Sequence, residues 1–381
     1  MASFGFFTPL ILQILLSIIV LAIMVKLKEP TNRRKRAVPE TNFSQHLDVE
    51  FLNFTYPHPD NPSVRGRTFS GLLTHSHILE KYLNAPTITI DPQSKIEPQL
   101  VTAASANHFQ EHLISIRKVF LSFPRSKILF YDLGLEPEQK KFIMGSPRYI
   151  YKKLDFKNYP EKTSWLRSMA FKIFILAECL AEFGACTWFD TSIIFVKSST
   201  KLVNDFVYKR NSSFVYFIKP TGHSSAWATH PLMYAYFPSN ITRMNQKNLL
   251  MNQGGAEIIY NTRELQQGVM KWAIACALTP ECLMPNYELD EHRIKFGSRH
   301  NPWGSFSLKY CDPKNDATRP FNCHRFDQSL FNILVTQMYD YDETFYRPDK
   351  IENIAFPDRT IGKTVKLVIG EAGGGEETGL L

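Results

Sequence analysis

The 381-residue chain has no GxSxG, no HExxH and no GxGxxG. Those absences exclude the nucleophile elbow, the zincin helix and the dinucleotide fingerprint. Gly362-Lys363-Thr364 is the end of a P-loop without its beginning, because Pro357 stands where the earlier glycine belongs. The six cysteines include no CxxC and no Cys/His spacing suited to zinc. No internal repeat is present. Lys and Arg outnumber Asp and Glu to give a net charge of +8, but they are scattered among acids apart from Arg33, Arg34, Lys35 and Arg36, and no nucleic-acid-binding motif accompanies them. Nucleic acid is therefore excluded as a partner. With 44% apolar residues the chain has ample material for a packed core.

Phe4 to Val25 carries 22 residues without a charge, enough at about 1.5 Å per residue to cross a hydrocarbon core about 30 Å thick. Only Met1, Ala2 and Ser3 precede it, so the basic start of a cleaved signal peptide is lacking and an uncleaved membrane anchor is expected. The basic residues that follow, Lys26, Lys28 and Arg33 to Arg36, would place the bulk of the chain in the cytoplasm by the positive-inside rule. Four Asn-x-Ser/Thr sequons, at Asn42, Asn53, Asn211 and Asn240, point to the lumen instead. Cys276 with Cys282 and Cys311 with Cys323 are close enough to close short disulfide loops, which also need an oxidising compartment. Cys179 and Cys186 sit within helix and strand patterns and read equally as small buried apolar residues. The Arg33–Arg36 run reads as a protease site releasing a secreted protein after Arg36, or as a collar on acidic lipid heads.

The expected organisation is a tail (1–3), an anchor (4–25), an extended Pro/Asn/His-rich stalk (26–95), a folded domain (96–369) and a disordered Gly/Glu tail (370–381). Within the domain, apolar runs near 100–104, 127–131, 148–154, 186–189, 214–218 and 257–260 alternate with helical spacings such as Leu166, Ala170, Ile173, Ala177 and Leu180. Gly184 reads as that helix's stop and Pro137 as a helix start. Repeated βα units predict an α/β fold: a mainly parallel, Rossmann-like sheet with helices on both faces and ligands at the carboxyl ends of its strands.

Trp188-Phe189-Asp190-Thr191-Ser192-Ile193-Ile194-Phe195 is the most informative segment, since an acidic turn interrupts a buried run. A carboxylate there can hold Mg²⁺ or Mn²⁺ against a diphosphate, or merely cap the turn. Asp327 with Gln328 opens a helix, where Asp serves as an N-cap. Asp132 before Gly134 reads as a turn stabiliser, and Asp340-Tyr341-Asp342 as a solvated helix end.

Val101-Thr102-Ala103-Ala104-Ser105-Ala106-Asn107-His108-Phe109, Tyr131-Asp132-Leu133-Gly134-Leu135, Trp188 to Phe195, Ala228-Thr229-His230-Pro231 and His324-Arg325-Phe326-Asp327-Gln328-Ser329 resemble one family. It is an uncharacterised invertebrate, notably nematode, family similar to nucleotide-diphospho-sugar transferases of GT-A fold, and the resemblance spans roughly residues 95–345. The resemblance implies a membrane-anchored Golgi or other secretory-pathway glycosyltransferase that moves a sugar from a nucleotide-sugar donor to a glycan or glycoprotein. It implies a nucleotide site at Thr102, Ala103, Ser105 and Asn107. Asp190 and Ser192 then occupy the DxD position, with a divalent metal on Asp190 and with His230 or His324 as acceptor or metal contact. Lys172 would meet a phosphate, and Asp327 would take the acceptor proton. The second acid of DxD is missing at Ser192, which keeps open a non-catalytic glycan-binding protein on the same fold.

Overall fold

The computed structural model describes residues 54–91, 93, 96–195, 200–285, 324–348 and 355–358. The 4–25 anchor, the Arg33–Arg36 run, the sequons Asn42 and Asn53, the Cys311–Cys323 pair and the 370–381 tail lie outside these residues. Among the described residues no helix is long and apolar enough to cross a membrane.

Strands β1 (Thr55–Pro57) and β2 (Arg65–Thr68) form an antiparallel hairpin, followed by the helix Leu72–Leu83. The main sheet contains β3 (Gln99–Ala104), β4 (Ile128–Asp132), β5 (Tyr149–Lys153), β6 (Ala185–Phe189), β8 (Phe214–Tyr216) and β9 (Ala256–Tyr260), in spatial order β5-β4-β3-β6-β9-β8. Neighbours from β5 to β6 are parallel, while β9 runs antiparallel to both β6 and β8. Outside the sheet, β7 (Ile193–Phe195) pairs with β10 (Ala355–Pro357). The mainly parallel α/β reading therefore holds.

Alternation along the strands sorts side chains to two faces. Val101, Ala103, Leu129, Cys186, Trp188, Tyr216 and Ile259 meet the helices Ala170–Phe183, Lys271–Leu278 and Phe326–Met338 on one side. Leu100, Ile128, Ala185, Phe189, Val215 and Ile258 meet Ile116, Val119 and Phe123 of and beside the helix Phe109–Ser122 on the other. Gly184 ends the first of these helices at φ +74°, a left-handed value that suits glycine, and Pro137 opens the helix Pro137–Gly145.

The chain lays β3 first, grows outward through β4 and β5, then returns to β3's other side with β6. Neighbouring loops there leave in opposite directions, so the cleft of the fold opens above the carboxyl ends of β3 and β6.

One boundary differs from the sequence reading. The segment read as a stalk is folded from Phe54 onward: Tyr56, Phe69, Leu72, Leu79 and Tyr82 belong to the main core. Phe69 is fully buried among Phe54, Tyr236, Phe237 and Trp272. Aromatic residues spaced without a regular period gave this hairpin no signature, and long-range ring packing supplies its order. Disulfides Cys179–Cys186 and Cys276–Cys282 are formed. The second was expected; the first replaces the reading of Cys179 and Cys186 as plain apolar residues, and it ties the end of the helix Ala170–Phe183 to β6. Replacing Phe69 by alanine in the full chain is expected to lower unfolding free energy by about 3–5 kcal/mol in a denaturant titration. A stalk residue would change it by no more than about 0.5 kcal/mol.

Candidate functional site

Asp190 sits directly after β6, at the cleft predicted by the strand order. Its backbone N–H donates to Gly255 O at 2.8 Å, and its Oδ1 accepts from Trp188 Nε1 at 2.8 Å. The residue keeps part of its surface exposed, yet protein packs closely round the carboxyl. Burial pushes its pKa up to about 6, against the pull of Lys172 and the Trp188 hydrogen bond and with help from Asp327 and Glu111.

Lys172, two per cent exposed, comes off the first turn of the helix Ala170–Phe183 and reaches over the same strand ends. Its Nζ donates to Gly254 O and lies 3.1 Å from Asp327 Oδ2 and 3.2 Å from Glu257 Oε2, with the Trp188 ring 5.4 Å away. Burial lowers the ammonium's pKa, but Glu257, Asp327 and Asp190 together outweigh it and raise the net value. Glu257 is wholly buried, and neither of its oxygens receives a hydrogen bond of good geometry despite the nearby ammonium. Burial pushes its pKa up to about 8, with only Lys172 opposing. Glycine at 254 is what admits this crowd: a Cβ there would stand 3.2 Å from Lys172 Nζ, 3.3 Å from Glu257 Oε1 and 3.4 Å from Asp327 Oδ2.

Both helices that deliver the Lys172–Asp327 pair begin at left-handed non-glycine residues, Met169 at φ 58° and Phe326 at φ 46°. Each such residue costs about 1–2 kcal/mol, a strain that packing elsewhere must hold in place.

A second array lines the other side of the cleft. His108, partly exposed, meets Glu111 Oε2 at 2.9 Å, and the same oxygen accepts from Thr191 Oγ1 at 2.7 Å. The Glu111 hydrogen bond raises the His108 pKa, with Asp190 adding to it. Burial lifts Glu111, but the bonds from His108 and Thr191 leave it below its ordinary value.

The expected nucleotide residues divide. Asn107 is exposed, and Ser105, directly after β3, donates to Asn107 Oδ1 at 2.6 Å. Thr102 and Ala103 are buried within β3, and Thr102 Oγ1 donates to Phe189 O at 2.7 Å, a tie between β3 and β6. Lys172 is neither solvated nor open to a phosphate, because its ammonium is committed to carboxylates. Asp327 is not the N-cap: Arg325 holds that position, and Asp327 turns inward to Lys172. His230 caps the helix Pro231–Tyr236 by accepting from Leu232 N at 3.0 Å. His324 is buried with both ring nitrogens engaged, Nδ1 accepting from His230 N and Nε2 donating to Leu283 O. It cannot ligate a metal in this arrangement.

Asp132 and Gly134 form the expected turn: Asp132 Oδ1 accepts from Gly134 N and Leu135 N, and Gly134 has φ +118°. Asp340 follows its helix and pairs on the surface with Arg243 at 2.7 Å. Among the described residues no three His, Cys, Asp or Glu side chains are placed to hold a metal ion. Asp190 brings one carboxylate with one oxygen already bonded, and Ser192 adds no charge, so the described residues do not fit a divalent metal.

Sequence reading missed Glu257 and Glu111, and had His108 only as the end of the loop that the resemblance gives to the nucleotide. A signal for the first was present, since one acid stands inside the run Ala256, Ile258, Ile259 and Tyr260, where charge has no cheap reason to be.

A family described as a protein of unknown function (DUF1647) matches residues 44–177. No curated protein matches the chain by sequence. Among solved structures, the galactosyltransferase LgtC with donor and acceptor sugar analogues is similar at 10% identity and TM-score 0.30, covering 73% of this chain and 98% of that one. A mannosyltransferase from S. cerevisiae is similar at 12% identity and TM-score 0.33, covering 55% and 70%. Mouse xyloside xylosyltransferase 1 is similar at 9% identity and TM-score 0.33, covering 69% and 97%. These overlaps are shallow.

A carboxyl raised above its unfolded value holds its proton better in the folded state, so stability is greatest below the unfolded pKa and falls as pH rises through the folded one. For Glu257 that window runs from about 4.5 to about 8. Glu257→Gln is expected to flatten the decline of thermal midpoint across this window. A decline of unchanged slope would remove Glu257 as its source.

Proposed function

We propose that the chain is a secretory-pathway glycosyltransferase that moves a sugar from a nucleotide-sugar donor to a glycan or glycoprotein acceptor. The observation that carries this reading is the strand-end carboxyl of Asp190 at the switch between β3 and β6, beside a buried lysine and a loop with exposed Asn107. Transfer breaks the bond between the sugar and the nucleoside diphosphate, forms a bond to an acceptor hydroxyl, and needs a group to take that hydroxyl's proton. Asp190, with a pKa near 6 and one oxygen not bonded to Trp188, suits that task better than Asp327, whose carboxylate is committed to Lys172. The Ser105–His108 loop would hold the nucleotide, and His108, with its raised pKa, would place positive charge near the departing diphosphate. Lys172 would act at one remove, fixing the Asp327 helix and the field around Asp190.

A second reading is favoured by the single acid at 190–192 and by the absence of a metal-ligand group among the described residues: a secreted protein that binds glycan without transfer. The two separate in one titration. UDP, GDP and CMP, with and without Mn²⁺, are added to the folded protein and to Asp190→Ala while thermal stability is followed. A nucleotide that binds only the folded state adds about 2.7 kcal/mol at a hundred times its Kd. A shift with one nucleotide, smaller in Asp190→Ala, supports transfer. A folded sample that responds to none of the three supports glycan binding.

A secretory location is part of the proposal and has its own test. Of the two sequons within the described residues, Asn211 is exposed, whereas Asn240 caps the helix Ile241–Gln246 and donates to Asp60 Oδ2 at 2.8 Å. In protein made by secretory cells, Asn211→Gln is expected to remove a glycosidase-sensitive mass that Asn240→Gln leaves in place. A chain insensitive to glycosidase would argue for the cytoplasm.

A further inference from the structure

A cavity of about 270 Å³ lies between the helices Leu72–Leu83 and Ala170–Phe183, lined also by Asn158 and Tyr159. It is small beside ligand sites of about 300–1,000 Å³, with room for one sugar ring or a lysine-length chain. The space exists because Ala177 and Ala181, four residues apart on one helical face, present only methyl groups to it. Ile78, Tyr82 and Phe174 complete an apolar floor, and Tyr159 stacks on Phe174 with ring centres 4.4 Å apart. Tyr82 is fixed by donating to Asn261 Oδ1 at 2.6 Å.

Glu178 is the charged group of this interior. Its Oε2 accepts from Tyr131 and its Oε1 from Tyr159, each at 2.8 Å. Two tyrosines thus hold a half-buried carboxylate in one orientation, and no cation pairs with it among the described residues. His77, Lys81 and Asn158, which also line it, are exposed. Aromatic walls round a fixed carboxylate match a cation and repel an anion.

We propose that this cavity binds an organic ammonium group, with Glu178 as its counter-charge and the Tyr159 ring as its apolar wall. The site is separate from the Asp190 cleft: Glu178 lies six residues beyond Lys172 on the same helix, about 9 Å further from the strand ends. It therefore stands or falls independently of sugar transfer.

Glucosamine and glucose differ here by a single charge, and n-butylammonium carries the charge without the ring. All three are titrated calorimetrically into the full chain at a pH that keeps the amines protonated. Glucosamine and n-butylammonium are expected to bind, with glucose weaker by about tenfold or more, the size of one charge-assisted contact. Glu178→Gln removes the charge, and Ala181→Leu fills the space; each is expected to weaken both ammonium probes by a similar factor. If Glu178→Gln does not fold, Ala181→Leu alone decides. Equal binding of glucose and glucosamine, ammonium binding unchanged in a folded variant, or no binding of any probe to the folded chain overturns the proposal.

Discussion

The junction of β6, β9 and the helices Ala170–Phe183 and Phe326–Met338 is arranged around one buried ammonium. Lys172 has left water at a cost of several kcal/mol, and only its carboxylates and the Gly254 carbonyl make that tolerable. The partners come from distant stretches of chain, with Glu257 from β9 and Asp327 from the last described helix. Each is itself too costly to bury alone. The result is mutual dependence: helix, strand and distal helix are held in register by charges that none of them could carry separately, while Met169 and Phe326 are kept in left-handed backbone at the entry to two of those elements. Buried ion clusters contribute little net stability compared with apolar packing. This one therefore acts to specify position, and what it positions is the surroundings of Asp190.

The architecture was legible where local pattern and tertiary demand agree. Continuous apolar runs marked β3, β4, β6 and β9, and Ala170, Ile173, Ala177 and Leu180 marked the helix that covers them, with Gly184 closing it. Asp190 was legible because a polar turn inside a buried run is a local anomaly. The Phe54–Tyr82 region was not, since its order comes from rings that meet across two hundred residues of sequence, such as Tyr56 with Trp272.

Roles proved harder to read than positions. A lysine on a helix looks solvated in sequence, and only the fold shows that Lys172 points inward. His230 and His324 carry a chemistry-bearing residue type, yet the structure spends them on a helix cap and on a buried pair of backbone hydrogen bonds. Glu178 passed unremarked because an acid near the end of a helix is ordinary; the two tyrosine hydroxyls that immobilise it arrive from β4 and from the segment after β5.

Because β9 runs against its neighbours, β8 ends and β9 begins on the same side of the sheet, the side that bears Asp190. The connection from 217 to 255 must therefore leave and return over the cleft, and its last residues, Gly254 and Gly255, touch the Lys172 cluster and Asp190 directly. The middle of that connection is no free loop: Met233, Tyr236 and Phe237 are buried in the main core, Ser329 Oγ donates to Ala228 O at 2.9 Å and Asn332 Nδ2 to Asn252 O at 3.0 Å. The wall it builds over the cleft is thus tied to the helix that carries Asp327, and one length of chain serves both as wall and as core.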